Sequence, residues 1–209
     1  MTKTAYFYVF DTMADWEPGF LIAELHSGRY FRKDATKYKV VTVGITKEPV
    51  TTMGGVHIAP DLTVEECTAT DAGVLILPGG DTWLEAIHFS MLEKVKEFLD
   101  AGIFVAAICG ATMGLAMAGL VDDRPHTSND LGYLKAVCPT YTGEKFYRQE
   151  LAVTGGNLIT ASGIAPLEFA REVLKELDVF SVSTLEAWHQ LYVTHEAQYF
   201  YALMGSLEN

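Results

Sequence analysis

Cysteine is scarce in this chain: three in 209 residues, at positions 67, 109 and 138, with no CxxC pair and no cysteine–histidine cluster at zinc-ligand spacing. A disulfide framework and a structural zinc are therefore not expected, and an odd count leaves at least one thiol free. Cations are scarce too: 15 Lys and Arg stand against 27 Asp and Glu, a net charge of −12, with no Lys/Arg-rich run. Binding to a nucleic-acid backbone needs clustered cations, so no nucleic-acid partner is expected, and the acidity reads as solubility. No stretch reaches the roughly 18 apolar residues of a membrane helix, so no membrane association is expected either. The opening "MTKTAYFYVFDTMADWE" lacks the apolar core and cleavage site of a signal peptide. The expectation is a cytoplasmic protein, where a free thiol persists. Without repeats, low-complexity tracts or linkers, residues 1–209 read as one domain.

What is present is an alternation of apolar strand-like runs with helix-period segments. "AYFYVF" (5–10), "YKVVTVG" (38–44), "GVLILPGG" (73–80) and "IFVAAI" (103–108) read as buried strands. "TTMGGVHI" and "LAVTGGNLITAS" read as hairpins around paired glycines. Asp15 is placed to cap a helix through "WEPGFLIAEL", and Ser90 with Glu93 has capping-box spacing before Leu92, Val95, Phe98 and Leu99. Pro166 suits the first turn of "PLEFAREVLKEL". From about residue 180 to 209 the aromatic-rich tail has helical spacing and reads as a helical C-terminal extension. Near-continuous apolar strands alternating with helices predict a three-layer α/β sandwich around a mostly parallel sheet.

Ligand-binding and catalytic groups in such folds collect at the carboxyl ends of the strands. Two strand ends carry suggestive turns, "LPGG" (77–80) and "AICGA" (107–111). In the second, Cys109 lies between Ala107 and Ala111, the small-x-nucleophile-x-small spacing of an elbow, whose strained corner leaves no room for bulk two residues away. Most free cysteines are simply buried small hydrophobes. A thiol at a strand-to-helix corner differs, because the helix N-terminus favours thiolate. Backbone N–H groups of Gly80 and Gly110 are unobstructed candidates for holding an oxyanion.

At these residues the chain resembles the ThiJ/PfpI (DJ-one) superfamily, with its flavodoxin-like, class I glutamine-amidotransferase-like fold. The resemblance rests on "FDTMADWE", "VLILPGG", "AAICGAT", "RPHTSND" and "ITASGIAPLEFA", in that order between residues 10 and 170. It implies that Cys109 is the reactive elbow cysteine and Glu17 the acid set against it. It further implies that Gly80 and Gly110 are the oxyanion donors and that His126 is a histidine near the thiol. No metal or organic cofactor is implied, and homodimers or larger homo-oligomers are. A carboxyl beside a thiolate should hold a proton, since two adjacent anions disfavour one another. Such a protonated Glu17 hydrogen-bonds sulfur or passes its proton to a substrate.

The family's peptidases carry a histidine directly after the cysteine, where this chain has Gly110. Glutamine amidotransferases place a histidine and a glutamate two residues apart on a late loop, whereas His195 and Glu196 here are adjacent and lie in the tail. An intracellular peptidase or an amidotransferase is thus disfavoured. Two readings lead, while a module that binds a partner through the aromatic tail is neither supported nor excluded. One is a cofactor-independent cysteine hydrolase or lyase on a small carbonyl or amide substrate, of glyoxalase, deglycase or amidase type. The other is a non-enzymatic stress-response protein that senses oxidation at Cys109.

Overall fold

The computed structural model describes residues 2–207. In chain order its regular elements are β1 (Thr2–Tyr8), α1 (Gly19–Ser27), β2 (Lys37–Gly44), β3 (Val50–Thr51), β4 (His57–Ile58), β5 (Leu62–Thr63) and β6 (Ala72–Leu77), followed by α2 (Phe89–Asp100), β7 (Phe104–Ile108), α3 (Gly110–Met117) and α4 (Leu131–Val137). The remainder is β8 (Ala152–Gly155), β9 (Leu158–Ala161), α5 (Pro166–Glu176), α6 (Val182–Thr194) and α7 (Ala197–Ser206). Seven strands form the central sheet in the order β5-β2-β1-β6-β7-β9-β8. Every pairing in it is parallel except β8 with β9, and β3 with β4 makes a separate antiparallel hairpin. The expected mostly parallel α/β architecture is what forms.

Its physical basis is the run of side chains that are apolar on both faces. All six residues of β6 are buried, as are Val105 to Ile108 of β7, and a sheet covered on both sides needs such strands. The apolar face predicted for α2 packs inward through Met91, Leu92, Val95, Phe98 and Leu99. One contiguous core runs from Ala5 on β1 to Leu203 on α7, so the C-terminal helices share it. No described helix is long and apolar enough to cross a membrane.

Two helix starts differ from the sequence reading. Asp15 does not cap α1, which begins at Gly19 after Pro18; its carboxylate instead accepts from the Thr52 hydroxyl (2.5 Å) and the Gly54 N–H (2.6 Å). It thereby fastens the β3–β4 hairpin over the strand ends. Ser90 lies inside the first turn of α2, whose cap position is His88 and carries no side-chain cap bond. A 3₁₀ turn over Ala86–His88 runs directly into that helix, so the start is set by the turn rather than by a capping side chain. Pro166 opens α5 as expected.

The order of strands decides where chemistry can sit. From β1 the chain moves to β2 on one side and returns to β6 on the other, so the direction of winding reverses between β1 and β6. Crevices form outside the carboxyl ends of the strands at such a reversal.

Candidate active site

Cys109 directly follows β7 and directly precedes α3, with φ 57° and ψ −122°. A positive φ is costly for a residue with a Cβ, about 1–3 kcal/mol, and persists where the surroundings enforce it. The strained elbow expected from "AICGA" is therefore present, and Ala107 and Ala111 are both fully buried beside it.

Neighbouring strand ends deliver the rest. The segment after β1 brings in Glu17, which is fully buried. The segment after β6 supplies Gly79, whose N–H donates to Glu17 Oε2 at 2.5 Å. The segment after β9 supplies Gly163. A Cβ on Gly163 would stand 2.6 Å from Cys109 Sγ and 3.1 Å from Glu17 Oε1. A Cβ on Gly79 would stand 3.0 Å from the same sulfur and 2.7 Å from Glu17 Oε2. Thiol and carboxyl thus lie together between two glycines that must stay without side chains. Glu17 Oε1 is buried and has no well-aligned hydrogen-bond partner, with the thiol beside it.

Gly110 and Gly80 are brought together as well. A Cβ on Gly110 would meet Gly80 O at 2.8 Å, Gly80 N at 3.2 Å and Trp83 Cδ1 at 3.0 Å. The Gly110 N–H faces the sulfur and favours its ionised form. The histidine that a peptidase of the resembled type would carry here has no room for even its first carbon.

Asn129, which sequence reasoning left out although it lies in "HTSN", contacts the sulfur directly. Its Nδ2 donates to Cys109 Sγ at 3.2 Å, while its Oδ1 accepts from the Gly163 N–H at 2.7 Å and the Ser162 hydroxyl at 3.4 Å. His126, three residues earlier, is turned elsewhere. Its Nδ1 bonds the Arg124 carbonyl (2.8 Å) and its Nε2 the Tyr141 hydroxyl (2.7 Å). A carbonyl only accepts, so Nδ1 carries the proton and the Nε2 lone pair is spent on Tyr141. The ring is fully buried, and burial holds its pKa below the usual histidine value.

Electrostatics differ from the thiolate expected at a helix N-terminus. Burial pushes the Cys109 thiol up to about 11, and the Glu17 carboxyl adds to that, against lowering by the Asn129 and Gly110 donors. A helix terminus contributes only about 0.3–1 kcal/mol in ordinary settings, too little to offset the loss of water. Burial also raises Glu17, against the Gly79 N–H and the thiol, which lower it. Two groups in such contact share one negative charge at most. The cleft beside them is lined by Thr112, Met113, Ser128, Asn129, Asp130, Tyr133 and Leu134, and its volume is about 10 Å³, room for about one water molecule. Among the described residues, no three His, Cys, Asp or Glu side chains converge as metal ligands do. Cys67 and Cys138 are buried and unpaired.

With this geometry in place, likeness to other proteins is informative. The sequence matches the DJ-1/PfpI family over residues 3–176. It is 56% identical over 206 residues to the uncharacterized protease YoaZ of Bacillus subtilis (strain 168), covering 99% of this chain and 98% of that one. A second protein of the same organism, the uncharacterized protease YdeA, is 32% identical across 88% of each chain. Among solved structures, a thiJ/pfpI family protein from Bacillus anthracis superposes with a TM-score of 0.96 at 56% identity, covering 100% of this chain and 99% of that one. A DJ-1 superfamily protein, Atu0886 from Agrobacterium tumefaciens, gives a TM-score of 0.81 at 33% identity over 92% of this chain and 98% of its own. The family match stops at residue 176, yet the YoaZ likeness extends over nearly the whole chain, α6 and α7 included.

Proposed function

The chain belongs to the DJ-1/PfpI family, and within it we propose a cofactor-independent cysteine enzyme that acts on a small carbonyl or amide substrate. The observation that carries this reading is the fully buried Glu17 carboxyl lying against the Cys109 thiol at a strained strand-to-helix corner, with a narrow cleft on the other side of the sulfur.

The chemistry follows from which group can take a proton. Glu17 as carboxylate accepts the thiol proton as sulfur bonds to the substrate's carbonyl carbon, and the displaced π-electron pair becomes an alkoxide on oxygen. The Gly80 and Gly110 N–H groups are the donors assigned to that oxygen, and Glu17 returns the proton to it. With an amide substrate the proton goes instead to the departing amine, leaving a thioester that water hydrolyses. His126 has no part, because its acceptor nitrogen is occupied. The names of the two Bacillus subtilis relatives agree with a hydrolase in the broad sense. The narrow cleft and the blocked position at Gly110 favour a small substrate over a polypeptide. A homodimer and a cytoplasmic location belong to the same reading, and sedimentation of the purified protein tests the first.

The deciding experiment is turnover of methylglyoxal and of simple amides by wild type and Cys109→Ser. Loss in the variant is expected; equal rates would end the proposal.

A second reading, an oxidation-sensing stress-response protein, is favoured by the donors already aimed at sulfur from Asn129 and Gly110. In that case peroxide transfers an oxygen to Cys109 and leaves as water, giving a sulfenic acid. Mass spectrometry after mild peroxide then finds Cys109 modified before the buried Cys67 and Cys138. The reverse order would rule this reading out.

A further inference from the structure

We propose that Asn129 is the side-chain donor that holds the Cys109 sulfur as it ionises, occupying the place at this thiol where a hydrolytic dyad would have its base. The proposal rests on the cysteine-enzyme reading above and deepens it by naming a further residue of the same site.

Three observations support it. First, the amide orientation is set by its surroundings. Oδ1 receives the Gly163 N–H and the Ser162 hydroxyl, so the NH₂ group must face sulfur. Exchanging oxygen for nitrogen would set an N–H against the Gly163 N–H and leave a lone pair facing sulfur. Second, the anchor belongs to the site itself: Gly163 is one of the two glycines at which a Cβ would press on both Cys109 and Glu17. One amide therefore ties the loop after β9 to the thiol and aims its own donor in the same act. Third, an amide has no basic nitrogen. It lowers the energy of a sulfur anion without competing for the thiol proton, which leaves Glu17 as the acceptor in contact with Cys109. The carboxylate that lines the cleft, Asp130, has Oδ1 engaged with the Tyr133 N–H at 2.7 Å as the cap of α4.

The test is titration of the Cys109 thiol by ultraviolet thiolate absorbance and by iodoacetamide alkylation, with Cys109→Ser as the baseline. Asn129→Asp keeps an acceptor for Gly163 and Ser162 and removes the donor to sulfur. It also adds a charge, so it is titrated at low and at high salt, and the shift that survives screening is the one compared. Asn129→Ala removes acceptor and donor alike. Losing a hydrogen bond to a charged group is expected to slow alkylation at a fixed neutral pH by about tenfold or more, with a matching upward shift of the thiol titration, in both variants. Titrations unchanged from wild type in both would overturn the proposal. So would a shift confined to Asn129→Ala, which would make Asn129 a loop anchor only. Because the readout is ionisation and not turnover, it stays separate from the enzyme reading. If wild type leaves methylglyoxal and amides untouched while both titrations shift, that reading falls and the role of Asn129 stands.

Discussion

The Trp188 indole N–H donates to Glu24 Oε1 at 3.1 Å, so a residue of the C-terminal extension reaches a buried carboxylate on α1. Arg29 pairs with the same carboxylate through both of its oxygens. Since α1 begins two residues after Glu17, the tail beyond the family match braces the helix that follows this buried carboxyl.

Trp188→Phe keeps the ring and removes the N–H. The expected cost is about 1–3 kcal/mol, that of a buried carboxylate losing one donor. Arg29→Ala should cost a similar amount, less than a fully buried pair because half of the arginine side chain is exposed. Urea unfolding midpoints check both.

Glu17→Gln should separate reactivity from turnover. The carboxyl raises the thiol's pKa, so removing it lets Cys109 ionise more readily and alkylate faster at neutral pH. Turnover should nevertheless collapse, because an amide accepts no proton.

The same variant has a signed effect on stability. Glu17 is raised in the fold, so the folded state binds its proton more tightly than the unfolded state. That contribution is complete below the unfolded pKa and is lost as pH rises through the folded one. Glu17→Gln should therefore gain in melting temperature relative to wild type at pH 8 compared with pH 4. A difference that does not change with pH would contradict this.

His88 governs acid stability in the opposite sense. Its two ring nitrogens are held by the Tyr8 and Thr82 hydroxyls at 2.8 and 2.9 Å, its ring stacks on Trp83, and burial pushes its pKa down to about 4. The unfolded state binds the extra proton, so stability is full above about pH 6.5 and falls as pH drops toward 4, by about 3 kcal/mol for a shift of this size. Buried His126 acts in the same direction. Denaturant melts of His88→Gln should show a shallower loss between pH 6.5 and 4 than wild type.

Gly110→His adds the histidine of the peptidase pattern and should not create a peptidase. Its Cβ must push against the Gly80 carbonyl at 2.8 Å and Trp83 at 3.0 Å. Overpacking of this kind costs about 1–3 kcal/mol or more. Thermal unfolding and a casein assay check both halves.

Much of the fold was legible because it depends on local pattern. β-Branched and apolar runs locate the strands, Pro166 opens α5, and "AICGA" announces an elbow that the positive φ of Cys109 bears out. Asp15 and His126 were not legible, because each depends on where a loop side chain points. Asp15 sits before a helix in sequence, where a cap belongs, yet it binds a hairpin 37 residues away. His126 and Asn129 stand three residues apart in one motif, and only the second turns to the sulfur, 20 residues from it in sequence. Gly163, inside "ITASGIAPLEFA", carries no local signal that its Cα is pressed against a thiol.

By itself the sequence determined that a lone cysteine ends a buried strand at a corner with small neighbours, because strand period and turn chemistry are written in adjacent residues. It also determined that an acid, several glycines and "HTSN" accompany it. The tertiary structure alone decided which of these meet. The reversal of winding beside β1 lines up the ends of β1, β6, β7 and β9, so Glu17, Gly79, Cys109 and Gly163 converge from four separate segments. It alone also decided the charge state, because ionisation responds to burial and to the nearest donors. Neither quantity exists until distant loops are packed together.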